Sequence, residues 1–120
     1  MRKIKFAIYY HAMAKNRQHR GIMAHLIHLD TANSGHIVQL KGSVLQVGRK
    51  EDNHVHLPDR TVSRYHAEFH FDEKNQFWMI KNLSSTNPVF INAQPVKHNS
   101  MLFDEDIVEI GIYKLQFMQN

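Results

Sequence analysis

The chain is a succession of short β-type segments broken by turn signals, and no stretch carries a sustained helical period. Ala67, Phe69 and Phe71 alternate with Glu68, His70 and Asp72, the pattern of a strand with one buried face. Phe77 to Ile80 is aromatic and β-branched, a second strand after a polar turn over 73–76. Further candidate strands cover 22–29, 36–40, 44–47, 55–57, 89–91, 107–110 and 112–118. Turns rich in Asn, Ser, Gly and Pro separate them, as in Asn33-Ser34-Gly35 and Lys41-Gly42-Ser43. Many short strands with regular turns predict an all-β fold, an antiparallel β-sandwich or barrel. With 120 residues, 42% of them hydrophobic, the chain has material for one folded domain and not for two.

Charge divides the chain into two parts. Residues 1–20 hold Arg2, Lys3, Lys5, Lys15, Arg17 and Arg20 and no acid, so they carry six of the 15 basic residues. The remaining nine basic residues face all 11 acidic ones, which leaves the body close to neutral. The division predicts a basic N-terminal arm over 1–21 and a sandwich domain over 22–120. In the arm, Ile4, Phe6, Ile8 and Tyr10 alternate like a short strand, and residues 11–20, closed by Gly21, have the makings of a capped helical turn. The charged start imitates a secretory leader, but its apolar stretch from Phe6 to Tyr10 is too short and meets His11. No run approaches 18 apolar residues, so no membrane span is expected. The chain has 0 cysteines, which excludes disulfides, thiolate zinc sites and cysteine nucleophiles. A reducing compartment fits, and a cytoplasmic or otherwise intracellular location is expected.

Three loops hold the polar chemistry. The first is Gly48-Arg49-Lys50. The second runs from Asp59 to His66 and contains Ser63 and Arg64. The third is Ser84-Ser85-Thr86-Asn87-Pro88. Loops at one end of a sandwich cluster in space. Together they offer two guanidinium groups, several hydroxyls and an amide, an inventory suited to a tetrahedral oxyanion.

The order and spacing of Gly48-Arg49, Ser63-Arg64-Tyr65-His66 and Ser84-Ser85-Thr86-Asn87, with the segment Asp104 to Gly111 near the end, resemble the forkhead-associated (FHA) domain family. The resemblance covers about residues 24–118. It implies a β-sandwich of FHA type that binds phosphothreonine peptides and has no catalytic activity and no cofactor. It also implies that Arg49 and Ser63 contact phosphate, with Arg64 adding a contact. Thr86 would lie beside the phosphothreonine and Asn87 would hold the peptide backbone. His66 would brace the pocket from behind, next to Gly48 at the end of its strand. Trp78, Ile80, Val108 and Ile110 match core positions.

The sequence departs from the family pattern at three turns. Pro88 stands where the family has glycine after Asn87; proline fixes φ near −65° and lacks an N–H, so the loop is expected to hold Asn87 differently. Glu105 replaces a glycine before Asp106, and Asn92-Ala93 replaces an Asn-Gly turn; both are expected to be adjustments away from the pocket. Among 10 histidines, the pairs His54/His56 and His66/His70 lack a completing ligand at a metal spacing, so no metal site is expected. No nucleophile elbow or Walker loop is present, so no catalytic residue is assigned.

The resulting expectation is a phosphothreonine-binding module in signalling. Its partner would be a threonine-phosphorylated protein supplied in trans, which implies an upstream Ser/Thr kinase. Two other readings stay open at this level. One is an FHA-like scaffold whose drifted pocket binds an unphosphorylated partner. The other is a nucleic-acid adaptor acting through the basic arm.

Overall fold

The structure, a computed structural model, describes residues 23–30 and 34–119. The basic arm over 1–21 and the turn residue Thr31 lie outside the described residues. Eleven strands follow in order: β1 (Ala24–His28), β2 (Ile37–Gln39), β3 (Val44–Gly48), β4 (Val55–His56), β5 (Ala67–Asp72), β6 (Phe77–Asn82), β7 (Val89–Ile91), β8 (Gln94–Val96), β9 (Asn99–Met101), β10 (Ile107–Ile110) and β11 (Tyr113–Gln119). One sheet has the order β2-β1-β11-β10-β7-β8 and the other β4-β3-β5-β6-β9. There is no helix among the described residues. None is therefore long and apolar enough to cross a membrane.

The alternation in the sequence builds the core. On β5, Ala67, Phe69 and Phe71 point inward and Glu68, His70 and Asp72 do not. Leu26, Val47, Phe69, Ile80, Val108, Leu115 and Phe117 are fully buried between the sheets. Each such side chain contributes about 1.5–3 kcal/mol of transfer free energy. Trp78 sits opposite Phe71 across the β5–β6 pair, and the two rings meet edge to face at 5.4 Å.

The sandwich and the assignment of Trp78, Ile80, Val108 and Ile110 to the core agree with the sequence reading. Three details differ. The strands β8 and β9 were not anticipated, because Gln94-Pro95-Val96 and Asn99-Ser100-Met101 are short, polar edge segments that bury little. The pair β3–β4 is parallel, the one exception to antiparallel pairing in the described sheets. Ile112 belongs to the turn before β11, where its side chain is 61% exposed.

Strand register brings the polar loops together. Val47 of β3 pairs with Ala67 of β5, and Ala67 pairs with Asn82 of β6. Both pairings are antiparallel. The C-terminal ends of β3 and β6 therefore flank the N-terminal end of β5. Arg49, the 63–66 segment and the 83–88 segment leave from those three ends.

Candidate functional site

The loop cluster is tied by its own backbone. The Arg49 N–H donates to Ser63 O at 3.0 Å, and the Lys50 N–H to Arg64 O at 3.3 Å. The Leu83 N–H donates to His66 O at 2.9 Å, which joins the third loop to the second. Gly48 is needed for this approach: a Cβ there would overlap the Arg64 carbonyl and lie 2.8 Å from Asn53 Nδ2. Asn53, not singled out from sequence, is buried and donates from Nδ2 to both Lys50 O and Arg64 O.

Arg49 is exposed, and its Nε donates to Val62 O at 2.9 Å. That bond fixes the guanidinium at its base. Among the described residues no other partner engages it, so its terminal nitrogens remain available as a planar fork. The Arg64 side chain is exposed and its carbonyl is held. Thr86 is exposed and enters the network through its N–H, which points to Ser84 Oγ at 3.3 Å.

His66 links the loops from inside. It has no exposed surface, yet both ring nitrogens are engaged. Nδ1 accepts the Ser63 N–H at 3.0 Å. Nε2 must then carry the proton, which it donates to Pro88 O at 3.2 Å. Burial holds the imidazole pKa below its ordinary 6.5, with the Pro88 and Asn87 carbonyls opposing the shift. The ring is a neutral brace. Since its basic nitrogen faces the Ser63 amide and not the Ser63 hydroxyl, the two do not form a nucleophile–base pair.

Ser63 Oγ meets Ser84 Oγ at 2.7 Å and accepts from Asn87 Nδ2 at 2.9 Å. Ser84 Oγ also accepts the Asn87 N–H at 2.8 Å. Asn87 therefore faces into the cluster despite Pro88. Ser84 was missed as a site residue because a loop serine reads as solvated surface; its position two residues before Thr86 in a hydroxyl-capped turn was the available signal. Arg49, Ser63, Arg64, Thr86 and Asn87 all lie on the clustered loops, with Gly48 and His66 beneath them. His54 and His56 are engaged elsewhere, with Gln46 N and Arg49 O respectively. A groove of about 530 Å³ is lined by Thr86, Asn87 and Pro88 together with Lys97 and His98.

The FHA domain profile matches residues 45–111, more than half of the chain. The chain belongs to the FHA domain family. The glycogen accumulation regulator GarA of Mycobacterium tuberculosis (strain H37Rv) is 36% identical over 86 residues, which are 72% of this chain and 51% of GarA. The chain thus spans about half the length of this relative. A structure solved in a study of phosphothreonine-dependent FHA domain interactions superimposes with a TM-score of 0.72 at 30% identity. That match covers 82% of this chain and 97% of the other. Mycobacterium tuberculosis EmbR, solved in complex with a low-affinity phosphopeptide, gives a TM-score of 0.74 at 26% identity over 89% of this chain and 28% of EmbR.

Proposed function

We propose that this FHA domain binds phosphothreonine-bearing segments of another protein, without catalysis, and so couples the action of a Ser/Thr kinase to protein–protein association. The observation that carries the reading is the Arg49 N–H···Ser63 O bond. It ties together the backbones of the two residues that carry the guanidinium and the hydroxyl assigned to the phosphate. Arg49 and Ser63 are assigned to the phosphate, Arg64 to an added phosphate contact, Thr86 to the wall beside the phosphothreonine and Asn87 to the peptide backbone. The similarity to phosphopeptide-binding FHA structures supports the assignment. A phosphate carries about −1.5 to −2 charges. Bonds from charged groups to it contribute roughly 1.5–3 kcal/mol each. A few of them, offset by peptide ordering, give affinity of micromolar order.

The ligand is proposed to come in trans. Thr86 is part of the site. Thr61 donates its hydroxyl to Asp59 Oδ2 at 2.6 Å and accepts the Ile112 N–H at 3.0 Å, which builds it into the loop framework. An intracellular setting, where kinase and partner meet the domain, completes the proposal.

Calorimetry with a phosphothreonine peptide, its phosphoserine counterpart and the unphosphorylated form tests the reading. Binding should require phosphate, and Arg49→Ala should weaken it at least tenfold while the urea midpoint stays unchanged, because an exposed arginine carries little stability. Equal binding of the unphosphorylated peptide, or full affinity in Arg49→Ala, would remove the assignment.

A further inference from the structure

The hydroxyl pair at the centre of the cluster has a closed hydrogen inventory. A serine oxygen has two lone pairs and one proton. Ser84 Oγ accepts two backbone N–H groups, from Thr86 at 3.3 Å and from Asn87 at 2.8 Å. Its lone pairs are thereby taken. The 2.7 Å contact with Ser63 Oγ must therefore be made by the Ser84 proton. Ser63 Oγ then receives that proton together with the Asn87 Nδ2 hydrogen at 2.9 Å, which fills its own two lone pairs. Of the two hydroxyl protons, only that of Ser63 is then left without a partner inside the cluster.

We infer that Ser84 is a positioning residue that directs the Ser63 hydroxyl, committing its proton to donation toward an incoming phosphate oxygen. This inference rests on the phosphothreonine reading above. A free hydroxyl rotor can point its proton or its lone pairs at a ligand. One whose lone pairs are both occupied can only donate. An acceptor-only phosphate is matched by that geometry, and the rotor is oriented before the ligand arrives. The same arrangement sends the Ser84 hydroxyl across from the third loop to the second. The two turn amides that Ser84 collects set its own orientation.

A double-mutant cycle separates this role from simple support of the loop. With the phosphothreonine peptide as probe, Ser84→Ala should weaken binding roughly 3- to 30-fold in the otherwise natural chain. In a Ser63→Ala background the same change should alter the dissociation constant by less than about twofold, since the group being directed is gone. Ser84→Thr keeps a hydroxyl and should restore most of the affinity. Equal losses from Ser84→Ala in both backgrounds, with all variants folded by urea titration, would overturn the inference and leave Ser84 as a loop brace. A folded natural chain that binds no phosphothreonine peptide would count against the proposed function. The hydroxyl chain is then decided in the free protein by NMR. Ser84→Ala should move the Asn87 side-chain amide resonances more when Ser63 is present than in Ser63→Ala, where only the Asn87 N–H bond to Ser84 is lost. Resonances that do not move in the first case would likewise overturn it.

Discussion

Replacing Ala93 with glycine should make the protein more stable, although it removes a side-chain atom and adds backbone freedom. Ala93 follows Asn92 in the turn that joins β7 to β8, where Ile91 pairs with Gln94. Both turn residues have positive φ, 49° at Asn92 and 69° at Ala93. Two consecutive left-handed residues define the hairpin turn whose twist matches its strands, and Asn-Gly is its favoured sequence. An L-residue with a Cβ is strained there by about 1–2 kcal/mol. Glycine escapes that strain but adds roughly 0.5–1 kcal/mol of unfolded-state entropy. The side chain of Ala93 is exposed, so its loss opens no cavity. The balance favours Ala93→Gly by about 0.5–1 kcal/mol. For a domain of this size that is a rise in Tm of about 2–5 °C.

Asn92 is the built-in contrast. Its Nδ2 donates to Asp106 Oδ1 at 2.9 Å, and its Oδ1 accepts the Ile107 N–H at 2.9 Å. Asn92→Gly relieves less strain, because Asn tolerates this region, and it breaks both bonds. It should destabilise by about 1–2 kcal/mol. Urea titrations of the three proteins, with the slope checked for constancy, measure both effects. Phosphopeptide affinity should be unchanged in Ala93→Gly, since the turn lies at the opposite end of β7 from Pro88. A lower urea midpoint for Ala93→Gly at constant slope would refute the reasoning from backbone strain.

Gly48→Ala should destabilise by about 1–3 kcal/mol and weaken phosphopeptide binding as well, because the new Cβ displaces the Arg64 carbonyl; native stability in this variant would contradict the close approach. Stability should also fall in mild acid. With the folded pKa of His66 held below 6.5, the unfolded chain takes up a proton that the folded one excludes. The contribution is complete above about pH 6.5 and is lost as the pH drops from there toward the folded value. A urea midpoint that stays flat from pH 7.5 to 5 would count against a neutral, braced imidazole. Pro88→Gly should weaken phosphopeptide binding modestly, since it frees a loop whose Asn87 already faces the cluster. Tighter binding would mean that proline holds the loop away from its best geometry.

The parts of this protein that were legible in the sequence are those where burial dictates residue type. The strand β5 alternates because one face is dry, and β7 and β10 are short runs of the same kind with predicted bounds that match. The loop cluster was legible through Arg49, Ser63 and Asn87, whose spacing records which strand ends meet. What stayed hidden is carried by the backbone. Strands β8 and β9 are edge segments held mainly by main-chain pairing, so Gln94-Pro95-Val96 gives no period to detect. Asn53 and Ser84 act on carbonyl and amide groups that any sequence supplies. The glycine departures were visible, and their cost was not: Ala93 and Glu105 both adopt positive φ, with Glu105 at 73°. At both positions the backbone adopts the left-handed conformation that glycine would take without strain.

Pro88 shows why one such change is compatible with an ordered pocket. Proline lacks an N–H but keeps its carbonyl, and the carbonyl is what the fold uses here, as the acceptor for His66 Nε2. The amide work in this loop is done earlier, by Thr86 and Asn87 on Ser84. Three separate links then join the second and third loops: Leu83 N–H to His66 O, the His66 ring to Pro88 O, and the Ser84–Ser63–Asn87 chain. The first two rest on the fully buried His66, and the last runs through the hydroxyls of Ser84 and Ser63. Ser63 and Asn87 are thereby placed before any ligand arrives. In the proposed complex the ordering cost of association would fall mainly on the peptide and on the exposed side chains of Arg49 and Arg64.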